Sequence, residues 1–240
     1  MRVSSRRVRA IFRKELRDYR HNGFIIWTMA IFPLIFLIQP LVVVFALPAS
    51  ASAELSHGHL LLYLLGIPAI VPAAVAAYAV VGERQQGTLE PVLTTPIRRE
   101  EFLLGKALAA LVPSLAIAYA VYALFLACVG LFAQPAVASA LLRAPDLLTQ
   151  LLFTPLVAGW SIWVGIAISA RASDFRVAQQ LGILASLPTA VVAALIAFNV
   201  IHATLALAIG LAAALLLGNR LGWRIMAASF DRERLITSTK

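Results

Sequence analysis

Apolar residues fall into six long stretches at positions 24–47, 60–81, 102–132, 147–170, 179–198 and 203–217, and no Asp, Glu, Lys, Arg or His lies in the middle of any of them. Spanning a bilayer takes roughly 20 apolar residues in a helix, so the pattern predicts an all-α integral membrane protein with six transmembrane helices. The sixth stretch is short for a span, and positions 200–202 or 218–223 are expected to extend it. Positions 24–217 then form the transmembrane domain. Positions 1–23 form a polar N-terminal segment, 82–101 the main polar loop and 218–240 a C-terminal tail.

Ahead of the first stretch, Val8, Ile11, Phe12, Leu16 and Tyr19 recur at helical spacing. Arg9, Arg13, Lys14, Arg17 and Arg20 lie mostly on other faces. This predicts an amphipathic helix lying in the headgroup layer. A basic segment before an apolar run, with small residues from Ala49 to Ala53, imitates a signal peptide. A signal core is about 7–15 residues, however, and the 24–47 stretch exceeds that, so an uncleaved first span is expected.

Composition agrees with lipid as the solvent. Hydrophobic residues make up 61% of the chain and charged residues 13%, against about 25% charged in soluble domains. The net charge of +9 would suggest nucleic acid in a soluble protein. Here the basic residues flank apolar runs, so topology and anionic headgroups account for them, and no nucleic-acid partner is expected. Of the 20 Lys and Arg, all but Arg143 fall on one side of a six-span layout. The positive-inside rule places that side, with both termini, in the cytoplasm. The lone Cys128 is expected to pack, and no metal site is expected.

The polar loop reads Gly82-Glu83-Arg84-Gln85-Gln86-Gly87-Thr88-Leu89-Glu90-Pro91-Val92-Leu93-Thr94-Thr95-Pro96-Ile97-Arg98-Arg99. Gly87 can adopt a left-handed conformation. Thr88 is a good N-cap, and Glu90 sits favourably in the first turn of the short helix it would open. Thr95-Pro96 is a second start signal. Leu89, Val92 and Leu93 would share one face of the short helix and leave it in need of a partner.

Three segments resemble the type-2 permeases of ABC transporters. The first runs from Glu83-Arg84 through Gly87-Thr88-Leu89-Glu90 and Thr95-Pro96 to Glu101-Phe102-Leu103-Leu104-Gly105-Lys106. The second is Arg171 to Leu181, before the fifth span, and the third is Phe230 to Leu235 in the tail. The resemblance implies a non-catalytic exporter subunit in the cell (inner or plasma) membrane. It would pair with a second permease copy, as a homodimer or heterodimer, and rest on two ATP-binding subunits that hold ATP and magnesium. It also implies that the loop contains a coupling helix. Leu89, Val92 and Leu93 would be its apolar plug, and Glu83, Arg84, Glu90, Arg98 and Arg99 its polar contacts or ion pairs.

No cofactor is expected in this chain. A phosphate-binding loop needs G-x-x-x-x-G-K-[ST], and Gly105-Lys106 has Glu100 at the first glycine position and Ala107 after the lysine. A secondary transporter or channel would usually show intramembrane charge or internal repeats. An embedded enzyme would need a nucleophile beside a base, and Ser161 and Ser169 have none in sequence. His57, His59 and His202 are expected to be solvated loop residues. The apolar spans suit a lipophilic, drug-like or lipid-like substrate. Small residues at Ala206, Gly210, Ala214 and Gly218 predict a helix-packing seam in the sixth span. The steps Ala69-Ala73-Ala77 in the second span and Ser161-Gly165-Ser169 in the fourth are weaker signals.

Overall fold

The computed structural model describes residues 4–46, 59–87 and 97–229, and among them every regular element is helical. Helix α1 covers Ser5–His21 and α2 covers Gly23–Ala46. The second span begins as a 3-10 turn, Leu60–Leu65, and continues as α3, Gly66–Ala76, and α4, Tyr78–Gln85. Helix α5 covers Arg99–Phe132, α6 Pro135–Leu141, α7 Ala144–Ser169, α8 Phe175–Ala197 and α9 Leu205–Ser229. Six of these segments are long and apolar enough to cross a membrane.

Local chemistry explains the joints. Asn22 separates α1 from α2, and its Oδ1 accepts the Phe24 and Ile25 amides at 3.1 and 3.3 Å, as an N-cap does. Asp174 opens α8 in the same way, accepting the Arg176 amide at 2.7 Å. The second span breaks at Ala77, where the first amides of α4 need new acceptors. The buried Ser169 hydroxyl oxygen takes the Val80 and Val81 amides, each at 3.0 Å. In α7, Pro155 cannot donate to the Leu151 carbonyl, and the Tyr119 hydroxyl donates to it instead, at 3.0 Å.

The bundle is arranged around the second span. Ala69, Val71, Ala73, Ala76, Ala77, Val80 and Val81 are all sealed from the surface. The seam against α7 and α8 is made by small residues: a Cβ at Gly165 would lie 2.6 Å from the Ala73 carbonyl oxygen, and one at Gly182 3.3 Å from it. The other spans turn large apolar side chains outward, among them Trp27, Leu131 and Leu205. That surface suits hydrocarbon.

Three features go beyond the sequence expectation. Helix α9 continues through the expected extension at 218–223 and on to Ser229. The Asn219 amide holds that extension to the Leu156 carbonyl at 2.9 Å, and the Trp223 indole packs edge-on to Trp163. Helix α6 lies in a connection that hydrophobicity left blank, opened by Pro135 at its first position. The small-residue ladder of the last span is the looser one within this chain. Ala206, Gly210 and Ala214 are exposed, and a Cβ at Gly210 would meet nothing within 4 Å. Only Gly218 packs, against the Trp160 ring. The close approaches fall on the steps in the second and fourth spans, because the central helix has neighbours on every side and α9 is peripheral.

Candidate functional site

The start of α2, the end of α4, the start of α5, the 170–174 turn and the end of α9 lie at one end of the bundle, and among the described residues nearly all the basic side chains lie there too. Helix α5, at 34 residues, is about 50 Å long, well beyond the roughly 30 Å of a hydrocarbon core. Its first turns therefore stand in the polar layer, and α1 folds across them. Gly105 makes this possible, since a Cβ there would meet Ile11 Cγ2 at 2.6 Å and the Val8 carbonyl oxygen at 3.3 Å.

At the next residue, Lys106, an ionic lattice is sealed between α1, α4 and α5. Lys106 is 1% exposed, and its Nζ donates to Glu15 Oε1 and to Glu83 Oε1, both at 2.8 Å. Lys14 Nζ donates to the same Glu83 oxygen at 2.8 Å. Lys106 Nζ also lies 4.9 Å from the Phe102 ring centroid. Burial pushes the Glu15 carboxyl above its ordinary range, and Lys106 pulls it part of the way back. Burial works against the Lys14 ammonium, but the Glu83 carboxylate outweighs it and holds the group above its ordinary value. Tyr19, also on the inner face of α1, is held well above the usual phenol value by burial.

A second knot lies one turn nearer the loop. The buried Glu101 carboxylate accepts the Ser4 amide at 2.9 Å, the Arg98 amide at 3.1 Å and Arg7 Nη1 at 3.2 Å. Glu101 thereby starts α5 at Arg99, with Arg98 as the N-cap residue; Thr95 and Pro96 lie outside the described residues. A third knot ties the loop entrance to the 170–174 turn. Arg84 donates to the Ala172 carbonyl at 2.9 Å and the Ala170 carbonyl at 3.3 Å, and Gln85 donates to Asp174 Oδ2 at 3.3 Å. The Phe175 ring sits edge-on to both Phe24 and Tyr78 at 5.2 Å.

The structure thus gathers two of the sequence segments that carry the resemblance. Glu83 and Arg84 stand at the entrance of the polar loop, bonded respectively to the α1–α5 lattice and to the 170–174 turn. Gly87 follows in the left-handed region at φ 67°, where a side chain is strained. Arg98 and Arg99 stand at the exit. Thr88, Leu89, Glu90, Val92 and Leu93 lie outside the described residues, as does the third segment, Phe230 to Leu235. Sequence reasoning did not single out Glu15 or Lys106. A signal was present: Glu15 is four residues after Ile11 and four before Tyr19, hence on the inward face of α1. Lys106 is the charge that enters the third apolar stretch.

At the opposite end, His59 is not a solvated loop residue. Its Nδ1 lies 2.7 Å from Asp146 Oδ1, while Arg143 Nη2 lies 3.2 Å from Asp146 Oδ2. Asp146 is 5% exposed. His59 and Asp146 border a cavity of about 610 Å³ between α7, α8, α9 and the 3-10 turn. Among the described residues, no cluster of three or more His, Cys, Asp or Glu could hold a metal ion.

Five apolar helices around a sealed central span, with charged groups gathered at one end, define a multi-pass membrane protein. The chain belongs to the ABC-2 family of transporter proteins, whose family model matches residues 9–229. Membership makes it the membrane component of an ABC transporter, a system completed by an ATP-binding subunit. Comparison with curated proteins returns no match.

Proposed function

We propose that this chain is the permease of an ABC exporter, moving a lipophilic, drug-like or lipid-like substrate by alternating access under the control of a separate ATPase. One observation carries the reading: both ends of the 88–96 segment are bonded into structure that spreads beneath several spans. Glu83 leads to α1 and α5 through Lys106 and Lys14. Arg84 leads to the α7–α8 turn. Glu101 leads back to the first turn of α1. A push on this segment would therefore reach the second, third, fourth and fifth spans together, which a self-contained surface loop would not accomplish.

In this reading the arginine-rich end is cytoplasmic, in line with charge bias. The ATPase seats on a coupling helix whose apolar face is Leu89, Val92 and Leu93, with Glu90, Arg98 and Arg99 as polar contacts. Two permease copies and two ATPase copies make the complete assembly, and ATP and magnesium belong to the ATPase. The permease itself performs no hydrolysis.

Affinity purification in mild detergent tests the partnership, and retention of an ATP-binding subunit is the expected result. Reversing the charges of Arg98 and Arg99, or Leu89→Asp, is expected to abolish stimulation of partner ATP turnover while the permease still purifies folded. ATP turnover by the isolated chain, or unaltered stimulation in those variants, would overturn the reading.

A further inference from the structure

The cavity between α7, α8 and α9 has a polar end and an apolar body. His59, Asp146, Thr149 and Thr204 border it, and each stands at the start of its helical segment, at the end of the bundle opposite the arginine-rich one. Deeper in, the walls are chiefly apolar, with Phe153, Val192 and Leu211 among them, and the floor is reached at Trp160 and Gly218. From Leu205 to Gly218 the wall formed by α9 is about 20 Å long at 1.5 Å per residue. One leaflet of hydrocarbon is about 15 Å, half the thickness of the core. The slot therefore runs from headgroup level to about the bilayer midplane. Its volume of about 610 Å³ lies within the range of ordinary ligand pockets, about 300–1,000 Å³.

The polar end is prepared. Both carboxylate oxygens of the buried Asp146 are engaged, one by His59 and one by Arg143, which neutralises a charge that would repel apolar matter. Thr204 Oγ1 accepts the Leu207 amide, which leaves its hydroxyl hydrogen to donate to a neighbour. The Thr149 hydroxyl donates to the Pro145 carbonyl, which leaves its oxygen as an acceptor. A molecule with one long chain and a hydrogen-bonding head matches this layout better than a compact drug with scattered polar groups.

We propose that this slot binds an acyl chain of a bilayer phospholipid, with the headgroup at the His59–Asp146–Arg143 cluster. On the orientation argued above, the lipid comes from the outer leaflet. A role as cargo rests on the transporter reading, whereas occupancy of the slot does not.

The test is photolabelling of the full chain in phosphatidylethanolamine–phosphatidylglycerol vesicles containing phosphatidylcholine with a diazirine at its chain end. Label is expected on peptides bearing Phe153, Trp160 and Leu211. Ala208→Trp, which fills the slot, is expected to lower that label about tenfold, equivalent to about 1.4 kcal/mol of binding. Ala213→Trp, outside the slot, should leave it unchanged. Thr189→Trp serves if the Ala208 variant does not fold. Asp146→Asn is expected to reduce labelling while the helical circular dichroism persists. Label confined to outward residues such as Leu34 and Ile38, or insensitive to the filling variants, would overturn the site. So would preferential labelling by a diazirine-bearing lipophilic amine added from water, or disulfide crosslinking of two copies through cysteines placed in the slot. Copurification of the ATPase is scored separately, so an empty slot and a failed transporter assignment give different results.

Discussion

The two ends of the bundle are built on opposite plans. At the arginine-rich end, helices meet through Gly105 and the Lys106–Glu15–Glu83 lattice, and buried charges tie α1, α4 and α5 into one body. At the other end, the last three spans leave about 610 Å³ between them, and the closest approaches of α9 to α7 fall on its later turns, at Gly218, Asn219 and Trp223. The difference suits a machine that receives force at one end and accommodates cargo at the other. A stiff end transmits displacement, since densely packed material deforms little. A loosely packed end lets a slot open or close at low cost.

The largest effect should come from breaking the lattice. Lys106→Met leaves the buried Glu15 with only the more exposed Lys14, at 3.7 Å, as a cation partner, and stranding one partner of a buried pair costs about 3–5 kcal/mol. Thermal unfolding in detergent is expected to shift down strongly. The triple variant Lys106→Met, Glu15→Gln and Glu83→Gln should recover much of the loss. A small shift for the single variant would mean that water already reaches the lattice, and the stiff end would lose its basis.

Next comes the central seam. Gly165→Ala places a methyl against the Ala73 backbone carbonyl at 2.6 Å, a contact neither helix can relieve by turning a side chain. A cost of about 1–3 kcal/mol is expected, the ordinary range for overpacking, again read by thermal unfolding. Arg84→Gln should be milder for stability. It removes the donors to the Ala170 and Ala172 carbonyls, which lie in a turn accessible to water. Its expected signature is a permease that purifies normally and binds its ATPase but couples poorly, read as partner ATP turnover that no longer responds to substrate.

Much of this arrangement is legible in the chain. Apolar run lengths define six spans, and Asp174 and Gly87 occupy the conformations their chemistry favours. The packing seams were harder to rank. Ala69-Ala73-Ala77 and Ala206-Gly210-Ala214 look alike as sequence, and only burial on all sides makes the first a tight seam. The pairing of His59 with Asp146 joins residues 87 positions apart, and no local pattern encodes it. Glu15 was readable in principle, because a carboxylate centred on the apolar face of a helix must meet a cation or stay protonated. The matching lysine stands 91 positions away, and helical periodicity says nothing of it.

A smaller, pH-dependent effect should be confined to the arginine-rich end. Lys14 is held above its ordinary value of 10.5 by Glu83. A group whose folded value is raised contributes stability that is complete below the unfolded value and is lost as pH rises through the folded one. The Lys14 tie between α1 and α4 should therefore hold through neutral pH and loosen in alkali, above about 10.5. Hydrogen exchange of α1 amides, corrected for intrinsic rates and compared between wild type and Lys14→Met, checks this. Loosening in wild type alone is expected, and identical profiles would remove Lys14 from the lattice.

The smallest effect is expected at Gly210, and its sign is informative. A Cβ there meets nothing within 4 Å, unlike the Cβ at Gly165. If lipid covers this face, Gly210→Ala reduces the freedom of the unfolded chain without any clash, and stability should rise by about 0.4–1 kcal/mol. If a second permease copy seats against Ala206, Gly210 and Ala214, the same methyl group intrudes between two backbones, because small residues serve such seams by admitting close approach. The oligomer would then weaken while the fold of each copy is kept. Measuring unfolding and oligomeric state on the same sample separates the cases. A gain in stability with unchanged assembly makes α9 a lipid-facing wall of the slot. A loss of assembly makes it the contact between copies, and places the slot beside that contact rather than open to the bilayer.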